Sequence, residues 1–122
     1  MDAKRKKLEE RLEDLLKQAS AVAVELQGIE QGDKTPHYDQ IELPAHALGQ
    51  RLSRLIQSER ARDVVARGLA DAACPECGRK CRVETKSRDV HSMDGPLDLL
   101  ETVAKCRRCR RSFFPSAGRA RT

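Results

Sequence analysis

The chain has 122 residues, of which 35% are charged and 2% aromatic, and a formal net charge of +5. A chain so short and so charged builds one compact unit or two very small ones, and three aromatic residues (Tyr38, Phe113, Phe114) exclude a large aromatic core. No apolar stretch is long enough to span a membrane, and the charged start Met1-Asp-Ala-Lys-Arg-Lys-Lys leads into no secretory h-region, which points to the cytoplasm.

Residues 3–30 read as one amphipathic helix. Leu8, Leu12, Leu15, Ala19, Val22, Leu26 and Ile29 recur at alternating spacings of four and three, an a/d seam that Leu16 and Ala23 widen. Such a seam packs on a second helix of the same chain or on a second copy, as a homodimer through residues 8–29. The helical region that follows favours the first. The helix is expected to end between Gly28 and Gly32. Gln31 to Pro36 is a linker with turn chemistry at Gly32-Asp33, and His37-Tyr38-Asp39 continues it. A second helical region runs from Ile41 or Pro44 to Ala73. Leu48, Leu52, Leu55 and Ile56 make one face of it; Val64, Val65, Leu69 and Ala72 make another. The spacing slips over residues 58–63, which predicts a kink or a helical hairpin, with Ser58 as a cap. A helix-turn-helix lacks its glycine turn here.

From Cys74 the period changes to two. Cys74-Pro-Glu-Cys77-Gly78 and Cys106-Arg-Arg-Cys109 are CxxC pairs on either side of a segment that reads as a β-hairpin, with Asp94-Gly95 as its turn. Two such pairs flanking a short sheet are the sequence form of a zinc ribbon: each turn presents two sulfurs, and two turns complete a tetrahedral site. Gly78 suits the positive φ that such a knuckle needs, whereas Arg110 must take it with a side chain. Cys74, Cys77, Cys106 and Cys109 are therefore the expected ligands of one structural Zn²⁺, with no position open for catalysis. The ribbon is too small to fold on its apolar core alone, so the metal is its staple. Cys81 is expected to be a strand residue facing the small core. Phe113-Phe114-Pro115 is expected to pack on the ribbon, and residues 116–122 form a basic, disordered tail.

Charge is unevenly spread. Residues 1–73 and 74–104 each carry a net −1, while residues 105–122 carry seven Lys/Arg and no acid. Two or three of these cations can offset a tetrathiolate centre; seven exceed that need, and the surplus suits phosphate. Arg79, Lys80, Arg82, Lys105, Arg107, Arg108, Arg110 and Arg111 are the candidate nucleic-acid contacts, with DNA as the partner. His37, His46 and His91 show no ligand pairing. No phosphate loop, nucleophile elbow or HExxH occurs, and a thioredoxin-like role would need one CxxC beside a βαβ unit. An enzyme, a small-molecule substrate and a membrane partner are not expected.

The run Cys74-Pro-Glu-Cys77-Gly78, Arg88-Asp-Val90, Met93-Asp94-Gly95-Pro96, Cys106-Arg-Arg-Cys109 and Phe113-Phe114-Pro115 resembles the N-terminal region of bacterial insertion-sequence transposases of the Kra type. His37-Tyr38-Asp-Gln-Ile-Glu42 and Ala47-Leu48-Gly49-Gln50 are similar to the stretch that precedes the ribbon there, so the likeness covers roughly residues 37–115. Arg110 departs from it, since those proteins usually have Gly after the second pair. The resemblance implies zinc ligation by the four cysteines and a recognition role. It carries over no catalytic residue, because the acidic catalytic domain of that family would follow Thr122. The expected fold is small α+β: a helical region over 1–73, consisting of a long amphipathic helix and a helical hairpin, then an antiparallel zinc ribbon over 74–115 and the tail over 116–122.

Overall fold

In a computed structural model that describes residues 2–68 and 70–115, two helices precede a four-stranded antiparallel sheet, a small α+β fold. The helices are α1 (Asp2–Gln31) and α2 (Tyr38–Ala66); the strands are β1 (Asp71–Ala73), β2 (Lys80–Ser92), β3 (Gly95–Cys106) and β4 (Arg111–Phe113). The sheet order is β1-β2-β3-β4. By compactness the chain divides into two units, Met1–Leu48 and Gly49–Thr122. The expected tail, with Arg119 and Arg121, lies outside the described residues, as does Leu69.

In the first unit, α1 ends on Gly32, whose φ of 68° lets its N–H turn back onto Gly28 O at 3.0 Å. α2 begins with a reciprocal cap: Gln40 N–H donates to His37 O, and His37 N–H donates to the Gln40 side chain, both at 2.9 Å. Pro44 lies inside α2, further in than a first-turn proline. Lacking an N–H, it leaves the carbonyl of Gln40 without its helical donor. The amide of Gln31 supplies one at 3.1 Å, and that of Gln27 reaches Ile41 O at 3.3 Å. The carbonyl freed by the proline is thus satisfied by Gln31 of α1. The seam of α1 finds no such cover: no described residue of the helix is buried, against the expectation that it packs within the chain.

The helical hairpin expected in the second region is corrected to one continuous helix. Where the apolar spacing slips, ion pairs at helical spacing hold the turns: Arg62 to Glu59 at 3.5 Å, Arg60 to Asp63 at 2.8 Å, Arg67 to Asp63 at 3.2 Å. Ser58 is an interior residue, not a cap. The helix also stops sooner than Ala73. N–H groups of Arg67 and Gly68 close on Val64 O and Val65 O, and Asp71–Ala73 pairs with β2 as a strand. Pairing with β2 overrides the helical preference of the alanines.

β2 and β3 form a long hairpin, in register from Val83↔Ala104 to Ser92↔Gly95. The reversal falls on Met93-Asp94, one residue before the expected Asp94-Gly95, and Gly95 supplies the positive φ (115°). Gly95 is needed for space as well, since a Cβ there would lie 3.0 Å from the Arg54 guanidinium. The tip is docked on α2: Arg54 donates to Asp94 O at 2.7 Å, and the Ser53 hydroxyl donates to the Asp94 carboxylate. Beyond the end of α2, a Cβ on Gly68 would come within 3.7 Å of Thr102.

Mid-hairpin, Asp89 and Asp98 stand directly opposite each other. A hydrogen bond from Asp98 to Asp89, then the repulsion between their charges, then burial, pushes the Asp98 carboxyl above its usual 3.8. A raised carboxyl contributes stability while protonated, and that contribution is lost as pH rises through the raised value. At neutral pH the pair therefore opposes the hairpin. Asp98→Asn is expected to raise the melting temperature at pH 7, with the advantage shrinking as pH falls through the carboxylate range; thermal melts of both proteins at pH 7 and pH 4 check this. An equal gain at both values would contradict the proton-sharing account.

Candidate metal centre

Each CxxC pair sits in a tight connection between neighbouring strands. The first joins β1 to β2, the second joins β3 to β4, and the antiparallel register puts both at the same end of the sheet. The two knuckles share one backbone hydrogen bond. Gly78 N–H donates to Cys74 O at 2.8 Å, and Arg110 N–H donates to Cys106 O at 2.7 Å. Glu76 N–H points to Cys74 Sγ, and Cys109 N–H points to Cys106 Sγ, both at 3.4 Å. Both turns need a left-handed residue: Gly78 has φ 75° and Arg110 has φ 57°. In glycine that conformation is free; in arginine it costs about 1 kcal/mol. Arg110→Gly is expected to stabilise the metal-loaded protein, by up to about 1 kcal/mol less the entropy that glycine adds to the unfolded chain, read as a higher melting temperature. No gain would mean that Arg110 makes compensating contacts.

The four sulfurs of Cys74, Cys77, Cys106 and Cys109 all lie within 4.8 Å of one another. Across the knuckles, Cys74 to Cys109 is 3.8 Å and Cys77 to Cys106 is 3.6 Å. Thiolates about 2.3 Å from a tetrahedral ion sit about 3.8 Å apart, so the donor set fits a metal ion. The same distances rule out disulfides, whose sulfurs are about 2.05 Å apart. Cys74 and Cys106 are buried, Cys77 and Cys109 partly so.

The electrostatics point the same way. The Cys109 backbone N–H is the main cause pulling the Cys106 thiol down to about 6, against burial. Cys109 is pushed up to about 12, first by its hydrogen bond with Cys77 and then by burial. Cys106 is thus driven towards the thiolate and Cys109 towards the thiol, and a cation between them would favour ionisation of both.

Cys81 is 5% exposed and stands outside the four-sulfur set, its thiol donating to Arg79 O at 3.3 Å. Burial, then a hydrogen bond to Cys106, pushes that thiol up. With Cys74, Cys106 and Ala104 it forms the described core, against which Val83 and Phe113 pack. Phe114 departs from expectation: alternation at the end of β4 turns Phe113 inward and leaves Phe114 58% exposed.

Of the eight basic candidates, five line one groove. Arg79, Lys80, Arg82, Lys105 and Arg107 border a concavity of about 430 Å³ beside the metal centre, with Glu84 as its acid. Lys80, Arg82 and Glu84 share a face of β2 at period two. Lys105, one residue past Ala104, the partner of Val83, emerges on the same side. Arg108, Arg110 and Arg111 are exposed on the second knuckle and do not line the groove. Arg111 reaches Glu76 of the first knuckle at 3.4 Å, and Lys80 reaches Asp71 at 3.6 Å. The Glu76–Arg111 tie between knuckles carried no signal in the sequence beyond opposite charge. No helix among the described residues is long and apolar enough to cross a membrane. No family model, curated protein or solved structure matches the chain.

Proposed function

We propose that this chain is a non-catalytic zinc-ribbon protein that binds DNA, with a structural zinc in the tetrathiolate site and the basic groove as the phosphate-binding surface. The groove carries the reading. Eight cations around the centre face Glu84, Asp71, Glu76 and the −2 of a zinc tetrathiolate, so an excess of three positive charges remains. Arg82 and Lys105 border the same groove, and like charges gathered there favour an anion between them. Polyanionic phosphate is the ligand this arrangement suits, and exposed Phe114 offers a face for a base. The likeness to the recognition end of Kra-type transposases supports DNA over other polyanions. Zinc is favoured over iron by the ribbon spacing of the thiolates.

Fluorescence anisotropy of a labelled DNA duplex with zinc-loaded protein tests the reading. Affinity should fall steeply between 50 and 200 mM salt and disappear on chelation. Binding that ignores salt, or survives loss of the metal, would remove its basis.

A second reading, a zinc-stapled interaction module acting through α1, is favoured by the exposed seam of that helix.

A further inference from the structure

We infer that α1 is a self-association surface whose partner is a second copy of this chain, paired antiparallel. The inference stands independently of the DNA reading. The seam spans three heptads without cover: Leu8, Leu12, Leu15 and Leu26 are 49 to 57% exposed, and Ile29 is 80% exposed. The part of α1 that does have partners is another face. Gln27 and Gln31, which reach the carbonyls of Ile41 and Gln40 in α2, occupy b and f positions when the seam is written as a and d. The tie to α2 therefore leaves the seam clear.

The sequence of the seam decides the direction. In a parallel pair each seam residue meets its own copy, so Ala19 would face Ala19 and Val22 would face Val22, leaving a hollow at mid-helix. Glu25 would also meet the partner's Glu30, a repulsion made twice. The attractive flank of that pair, Lys4 with the partner's Glu9, draws on a carboxylate already held by Arg5 at 3.2 Å.

Antiparallel pairing removes these faults. Leu15 then lies against the partner's Ala19, Leu12 against the partner's Val22, and Leu8 against the partner's Leu26. Each small residue meets a leucine, which fills the layers evenly. Leu16 meets its own copy beside the central layer. Arg11 flanks the partner's Glu25, twice by symmetry, and the basic start from Lys4 to Lys7 comes beside the end that carries Glu25 and Glu30. The Arg11–Glu25 flank forms only in this direction.

Size-exclusion chromatography with light scattering, on the full metal-loaded chain over a range of concentrations, tests it. A dimer is expected, and Leu15→Glu should make it a monomer. Arg11→Glu and Glu25→Arg should each weaken the dimer about tenfold, because two attractive pairs become repulsive. Mixing those two variants should restore dimers where each alone is monomeric, since every flank becomes an Arg–Glu pair again. Both positions are exposed, and helical circular dichroism with metal content confirms that the variants fold. A wild-type monomer at every concentration overturns the inference. So does a dimer tightened by Glu25→Arg, the sign of parallel pairing, or a mixture that stays monomeric.

Discussion

Chelating the metal, or replacing Cys106 with Ser, is expected to dissolve the sheet while much of the helical signal remains. The reason is how little else holds the sheet. The described core consists of Cys74, Cys81, Ala104 and Cys106, and two of these four belong to the set that could hold a metal ion. Burying side chains this small contributes about 1 kcal/mol each, far short of the ordering cost of the strands. A structural zinc contributes about 10–16 kcal/mol in comparable small domains, as much as the whole stability of many proteins. One zinc per chain should be found by native mass spectrometry, and chelator should abolish the β-sheet signal in circular dichroism. Cys81→Ala is the informative control. Its sulfur lies outside the tetrahedral set, so the variant should keep its zinc and lose only a modest amount of stability. Loss of zinc in Cys81→Ala would mean that the ligand set is not the one described. A sheet indifferent to both chelator and Cys106→Ser would sink the metal-centred reading altogether.

How much of this was legible depended on whether the signal was local. The CxxC pairs were, because spacing within a knuckle is set by the turn itself, and Arg110 was recognisable as the strained counterpart of Gly78 for the same reason. The hairpin was legible from its period, yet its reversal was misplaced by one residue. The dipeptide Asp94-Gly95 suggests a two-residue loop, whereas Gly95 serves as the positive-φ residue after the turn. The continuity of α2 was hidden because ion pairs, not apolar spacing, carry the helix through residues 59–67. β1 was hidden because Asp-Ala-Ala has no strand signature; only its pairing with β2 makes it one. Docking of the hairpin tip on Ser53 and Arg54 joins residues about forty positions apart, and no local pattern announces it. The groove had the same obstacle. All its cations were legible as a basic set, but which of them share a surface follows from strand register, and a slip of one residue would have sent Arg82 and Lys105 to opposite sides.

That sorting of the cations gives the second large effect. The triple replacement of Arg82, Lys105 and Arg107 with Ala should cut the salt dependence of DNA binding far more than Arg111→Ala does. Each phosphate contact contributes about 0.9 to the slope of log affinity against log salt. Removing three lowers the slope by about 2.7, so the affinity lost between 50 and 200 mM salt becomes roughly 40-fold smaller. Arg111 is held by Glu76 at 3.4 Å and lies outside the groove, so its loss should change the slope by less than one contact. None of these side chains is buried, and none belongs to the candidate metal site. Zinc content and sheet signal should therefore be unchanged, which separates loss of binding from loss of fold. If Arg111→Ala flattened the slope as much as the triple replacement, the phosphates would run over the second knuckle, where Arg108 and Arg110 also stand. If neither changed it, the positive surface would be charge compensation for the thiolates, and α1 would be left as the working surface of the molecule.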